Sequence, residues 1–154
     1  MKLRIDPTKA APQAYSAVAA LDRFVAKESG LDHGLLHLIK LRASQINGCA
    51  YCVDMHVKEA RRDGCGEQWI NLVSAWQESP VYTEKERAVL GWTEALTLLA
   101  QTRAPDEDFE RLRQHFSDAE ITNLTIAIGT INVWNRVAVG LRLQHPVEKR
   151  PEAA

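Results

Sequence analysis

The chain has 154 residues, 45% apolar and 25% charged, with 19 basic and 20 acidic residues and a formal net charge of −1. This balance leaves no electrostatic footprint for nucleic acid or an anionic membrane surface, and the length favours one domain able to bury about two thirds of its unfolded surface. No apolar run approaches the roughly 20 residues of a membrane span, the N-terminal stretch MKLRIDPTKAAPQAY has no secretion-signal core, and three cysteines are too few for a disulfide-stapled secreted fold, so a cytoplasmic protein without membrane or nucleic-acid partners is expected.

In chain order the pattern is helical throughout, with no sustained period-2 alternation. Pro12 suits the first turn of a helix over about 12–28, with Ala14, Val18, Leu21 and Val25 at helical spacing. Gly30 stops it, and a second helix covers about 33–46 through Leu35, Leu36, Ile39, Ala43 and Ile46. Asn47 is expected to cap a third helix, which carries Cys49, Cys52 and His56 and ends near RRDGCG. A shorter helix over about 67–77 bears Trp69, Leu72, Val73 and Trp76. Thr83 with Glu86 forms a capping-box pattern that opens a helix to about 101. A short helix over about 106–114 leads to a second such pattern, Ser117 with Glu120, and to a long apolar helix over about 118–143. The expectation is one all-α domain spanning 1–154, with an ordered core over about 12–144.

The stretch NGCAYCVDMH concentrates the chemistry. Spacings of three and four put Cys49, Cys52 and His56 on one helical face. Cysteines at i and i+3 can approach disulfide distance. Free N–H groups at a helix start favour a thiolate there. His56 can accept a thiol proton or, as imidazolium, stabilise the thiolate. Three readings stay open on these residues: a redox pair, part of a zinc site, or a buried core cluster. Structural zinc wants four ligands, and Cys65 would complete the set only by folding back past the helix end. The redox reading is favoured, with no metal and no organic cofactor, and Cys65 is read as a free thiol.

The segment LHLIKLRASQINGCAYCVDMH, Leu36 to His56, resembles the alkyl hydroperoxidase D-like branch of the carboxymuconolactone decarboxylase superfamily. SAWQESPVYTEKERAVLGWTEALT and FSDAEITNLTIAIGTINVWNRVAVG continue the likeness over about 12–144. The resemblance implies an all-helical, AhpD-like fold with the CxxC at the start of a central helix, and a homo-oligomer. It implies a thiol-dependent peroxidase or disulfide reductase, with Cys52 peroxidatic, Cys49 resolving and more accessible to a reducing partner, and His56 in a proton relay. Its substrate would be a peroxide, and its reductant a dithiol carrier such as a lipoyl or thioredoxin-like protein. Two positions depart from the family pattern. His37 stands where the relay glutamate is kept, and Tyr51 where a histidine precedes the second cysteine. His37 is therefore a candidate relay member, and a non-peroxidatic redox or sensor protein is the alternative function.

Other polar residues invite roles. Glu86 and Glu94 are candidates for the displaced carboxylate, although Glu86 is also the capping-box residue. Asn132, Asn135 and Arg136 share a face of the last helix and, if buried, need partners. The four tryptophans follow helical spacing with aliphatic neighbours, which suits core or interface packing or the wall of an apolar substrate pocket.

Overall fold

The computed structural model describes residues 2–148, which contain nine α-helices, one 3₁₀ turn and no strand. The helices are α1 (Pro7–Ala10), α2 (Pro12–Lys27), α3 (His33–Ile46), α4 (Ala50–Arg62), α5 (Glu67–Asn71), α6 (Glu84–Thr97), α7 (Leu99–Thr102), α8 (Asp106–Arg113) and α9 (Asp118–Leu141). The 3₁₀ turn, Leu72–Ala75, follows α5 directly.

The centre of the fold is α3, which packs against α4, α6 and α9. Its apolar residues nearly encircle it, and Leu38, Ile39 and Leu41 are fully buried, as expected of a helix with neighbours on several sides. Its start is set by Asp32, whose carboxylate accepts the Leu35 N–H. Both capping boxes are formed. Thr83 and Glu86 bond reciprocally at the start of α6, as do Ser117 and Glu120 at the start of α9.

Several boundaries differ from the sequence pattern. The tetrapeptide helix α1 was not foreseen; Asp6 caps it and Pro7 begins it. The segment expected to be helical over 67–77 tightens to 3₁₀ after Asn71, and the one over 84–101 breaks at Leu98 into α6 and α7. Asn47 does not cap α4. It ends α3, Gly48 follows at φ +64°, and Cys49 is the α4 cap residue. The left-handed turn at Gly48 is open to glycine at no steric cost, and it reverses the chain so that α4 lies along α3.

The 24-residue helix α9 is long and apolar enough, by length and composition, to cross a membrane, which the sequence reading did not anticipate. Here it packs against α2, α3 and α6. Ile121, Leu124, Ile128 and Ile131 join the domain core. Its polar residues find partners inside the domain: the Asn123 amide donates to the Ser29 carbonyl at 2.9 Å.

Candidate active site

The site is assembled where the α3–α4 turn meets α9. Three asparagines pin the turn. The Asn47 amide donates to the side-chain oxygens of Asn132 (3.0 Å) and Asn135 (2.8 Å). Asn135 donates to the Ser44 hydroxyl at 3.0 Å, and Asn132 to the Thr97 hydroxyl at 3.1 Å. Arg136 reaches back to the Asn132 carbonyl and side-chain oxygen. The polar face of α9 is therefore structural: its groups satisfy one another and fix the residues just before Cys49.

Cys49 and Cys52 are joined by a disulfide, with Cα atoms 5.4 Å apart. The Cys49 backbone N–H donates to the Ser44 carbonyl at 2.9 Å, and the Cys52 N–H points at the Cys49 sulfur at 3.3 Å. Cys49 Sγ thus occupies the place of a helix-capping oxygen, where a thiolate gains from the N–H groups of the first turn. Ala138 is buried with the pair, and Tyr51 and Leu143 cover it. Cys49 and Cys52 are 1% and 2% exposed. Cys49 was expected to be the more accessible of the two; in the single chain it is as buried as its partner.

A cavity of about 220 Å³ opens beside Cys52. Cys52, His56, Tyr51, Met55 and Glu59 line it from α4, Trp134 and Ala138 from α9, Tyr15 and Asp22 from α2, Lys40 from α3, and Leu143 from beyond α9. Tyr15 and Trp134 meet edge-on, with centroids 5.0 Å apart, so part of the cavity wall is aromatic. Trp134 is thus a wall residue, whereas Trp76 and Trp92 are core. Lys40 is partnered by Asp22 at 3.4 Å.

The His56 ring is buried. Its Nδ1 lies 2.7 Å from Glu59 Oε2, and among the described residues its Nε2 has no hydrogen-bond partner. The His56 hydrogen bond holds the Glu59 carboxyl below the usual carboxylate range, against an opposing push from burial. Sequence reasoning missed Glu59. The signal was present as a carboxylate three residues after the histidine, the spacing that brings helical side chains together. The carboxylates considered instead are occupied elsewhere. Glu94 Oε1 accepts from Arg42 (2.6 Å) and Trp76 (2.7 Å), and Glu86 accepts from the Thr83 N–H (2.7 Å) and Trp69 (2.9 Å).

His37 is buried on α3 with Nε2 3.1 Å from Asp63, the residue that ends α4, and it is not among the residues lining the cavity. Burial lowers its pKa, and hydrogen bonding and charge attraction from Asp63 only partly oppose this. It is therefore a neutral donor to Asp63, and its Nδ1 is buried without a protein partner among the described residues. Cys65 lies past the far end of α4, about 20 Å along the helix from Cys49 at 1.5 Å per residue. Burial, with Asp63 and Asp32 nearby, pushes its thiol pKa up. It is not brought to the cysteine pair.

The fold and site define a class: an all-helical protein with a disulfide-bonded CxxC at the start of one helix and a histidine one turn on. The description of the carboxymuconolactone decarboxylase family matches residues 12–95. The chain belongs to this family, in its alkyl hydroperoxidase D-like branch. It is 36% identical to the uncharacterized protein YdfG of Bacillus subtilis (strain 168) over 141 residues, 92% of this chain and 95% of that protein. A crystal structure from Agrobacterium tumefaciens is 65% identical and superposes with a TM-score of 0.93, covering 96% of this chain and all of the other. That protein, of unknown function, is described as a candidate antioxidant-defence protein AhpD. The debrominase Bmp8 shares the fold at 22% identity, with a TM-score of 0.78 over 89% of this chain and 73% of its own. The fold alone therefore does not assign a chemistry.

Proposed function

We propose that the protein is a thiol-dependent peroxidase that reduces organic hydroperoxides through the Cys49/Cys52 pair. The observation that carries this reading is that Cys52, disulfide-bonded to Cys49, lines the same small cavity as a buried histidine whose Nε2 has no hydrogen-bond partner among the described residues. The Cys52 thiolate attacks the distal peroxide oxygen, the S–O bond forms as O–O breaks, and the alkoxide leaves as alcohol with the proton held by His56. The Cys52 sulfenic acid then condenses with the Cys49 thiol, releasing water and forming the disulfide. A dithiol carrier of lipoyl or thioredoxin-like type returns two electrons and two protons by thiol exchange. The aromatic and aliphatic wall of Tyr15, Trp134, Met55 and Leu143 suits an apolar substituent on the peroxide. No metal or organic cofactor takes part.

The family likeness to an antioxidant-defence candidate supports this reading, and a cytoplasmic, reducing setting suits it. A homo-oligomer is part of the proposal. Leu21 and Phe24 on α2 and Val133 and Val139 on α9 are exposed apolar side chains on helices that pack together, and a second subunit would cover such surface. The alternative is a protein that exchanges disulfides or senses oxidation without fast peroxide turnover. It is favoured by His37, which stands at the family's relay position yet is engaged with Asp63.

The deciding experiment follows cumene hydroperoxide, tert-butyl hydroperoxide and hydrogen peroxide consumption with dihydrolipoamide as reductant. Multiple turnovers by wild type, none by Cys52→Ser and a single oxidation by Cys49→Ser are expected. A wild type that forms its disulfide once and then stalls despite reductant supports the alternative.

A further inference from the structure

The family keeps a relay carboxylate at the position where this chain has His37, and His37 is bound to Asp63 at the far end of α4. A carboxylate nevertheless touches the site histidine. Glu59 lies one turn after His56 on the same helix, and its Oε2 is 2.7 Å from His56 Nδ1. The contact is built. The His56 side chain is 4% exposed and that of Glu59 32%, so one end of the pair is dry and the other reaches water. We propose that Glu59 is the positioning residue of this site: it holds His56, which lines the same cavity as Cys52, with Nδ1–H donated to the carboxylate and Nε2 left as the ring's acceptor. This rests on the thiol reading of Cys49, Cys52 and His56 and supplies the regulation of that site's proton.

In neutral imidazole one nitrogen donates and the other accepts. A carboxylate accepts only, so Nδ1 must carry the proton and Nε2 is left basic. Nε2 is buried and, among the described residues, unpartnered, a costly state for a nitrogen with no proton to receive. When the Cys52 thiol gives its proton to Nε2, thiolate and imidazolium form together, and the ionised Glu59 stabilises the new cation. Glu59 passes no electrons and touches no substrate. The same helix thus carries sulfur, sulfur, imidazole and carboxylate at spacings of three, four and three.

The surroundings keep Glu59 ionised. Lys40 faces it from α3, and Arg62 lies three residues on, at the last position of α4. His37 on α3 is neutral, as described above. Asp22 and Tyr15 from α2 and Tyr51 and Met55 from α4 share the cavity. Lys58 and His145 border Glu59 on its outer side.

The test reads thiol ionisation and uses no peroxide. In full-length reduced Cys49→Ser protein, the rate of iodoacetamide alkylation at Cys52 is followed against pH by peptide mass spectrometry, which separates Cys52 from Cys65. Glu59→Gln is expected to raise the midpoint by about half to one pH unit, a roughly three- to tenfold loss of thiolate on the acid side. Glu59→Asp should recover part of this. Asp54→Asn removes a carboxylate from the same helix that is bonded to Lys58, and it should leave the midpoint in place. A midpoint unmoved by Glu59→Gln, or moved equally by Asp54→Asn, overturns the proposal. Nitrogen-15 NMR of His56 reads the tautomer directly: a protonated Nδ1 is expected in the neutral ring, and a protonated Nε2 overturns it. A protein that shows the shift but consumes no peroxide retains Glu59 as positioning residue and loses the peroxidase reading.

Discussion

At the scale of single residues, the site depends on polar groups that are satisfied only by one another. Asn135 is 1% exposed and joins Asn47 to Ser44. Asn135→Ala removes one acceptor and one donor from a buried network, leaving the Ser44 hydroxyl without its Asn135 donor and Asn47 with only its bond to Asn132. A loss of about 2–3 kcal/mol is expected in urea unfolding, with slower disulfide formation because the Cys49 turn loosens. A loss under about 0.5 kcal/mol would show that the turn is held by other contacts. Asn132 alone is not an equivalent target, since its oxygen is shared with Arg136 and neighbouring losses in one network do not add.

At the scale of elements, the α3–α4 turn decides where the cysteines point. Gly48 sits at φ +64° with open space around the position of a Cβ. Gly48→Ala therefore costs backbone conformation and not a clash, about 1–2 kcal/mol. Gly48→Asn should cost less, because asparagine tolerates the left-handed region. Thermal unfolding of the two variants checks the order, and a less stable Asn variant would contradict it. The capping box of α6 is independent of the site, and Thr83→Ala should lower stability by about 1 kcal/mol while leaving peroxide turnover unchanged. An equal fall in turnover at temperatures well below unfolding would contradict that separation.

At the scale of the whole molecule, buried titratable groups tie the fold to pH. Burial holds His37 below its ordinary 6.5 and outweighs Asp63. The unfolded chain therefore takes up a proton before the folded one does as pH falls. The contribution of His37 is complete above about 6.5 and is lost as pH drops toward its depressed value. The depressed carboxyl of Glu59 adds a loss of the same sign at lower pH, below its ordinary 4.5. The urea midpoint of wild type should fall between pH 7.5 and 5.5, and His37→Gln should flatten that slope. An unchanged slope would place the pH dependence elsewhere. Light scattering tests the assembly, and a monomer at micromolar concentration would remove the subunit-interface account of Leu21, Phe24, Val133 and Val139.

Much of this molecule was legible in the chain because the signals are local. Helical spacing, two capping boxes, Pro12 and the CxxC with His56 depend on residues within a turn or two of each other, and they determined the fold class and the shared face of the cysteines and histidine, while the likeness of Leu36 to His56 and the segments after it pointed to the family. What needed the tertiary structure was every question of what lies across from what. Asn47 reads as a cap, yet it faces asparagines 85 and 88 residues away. His37 reads as a relay member, yet Asp63, 26 residues on, holds it. Glu86 and Glu94 read as spare carboxylates until Trp69, Trp76 and Arg42 occupy them. Glu59 stands three residues after His56 on the same helix, yet only packing decides that the ring it holds is buried. Helix periodicity says which residues share a face; only packing says whether that face meets water, a cavity or a buried partner.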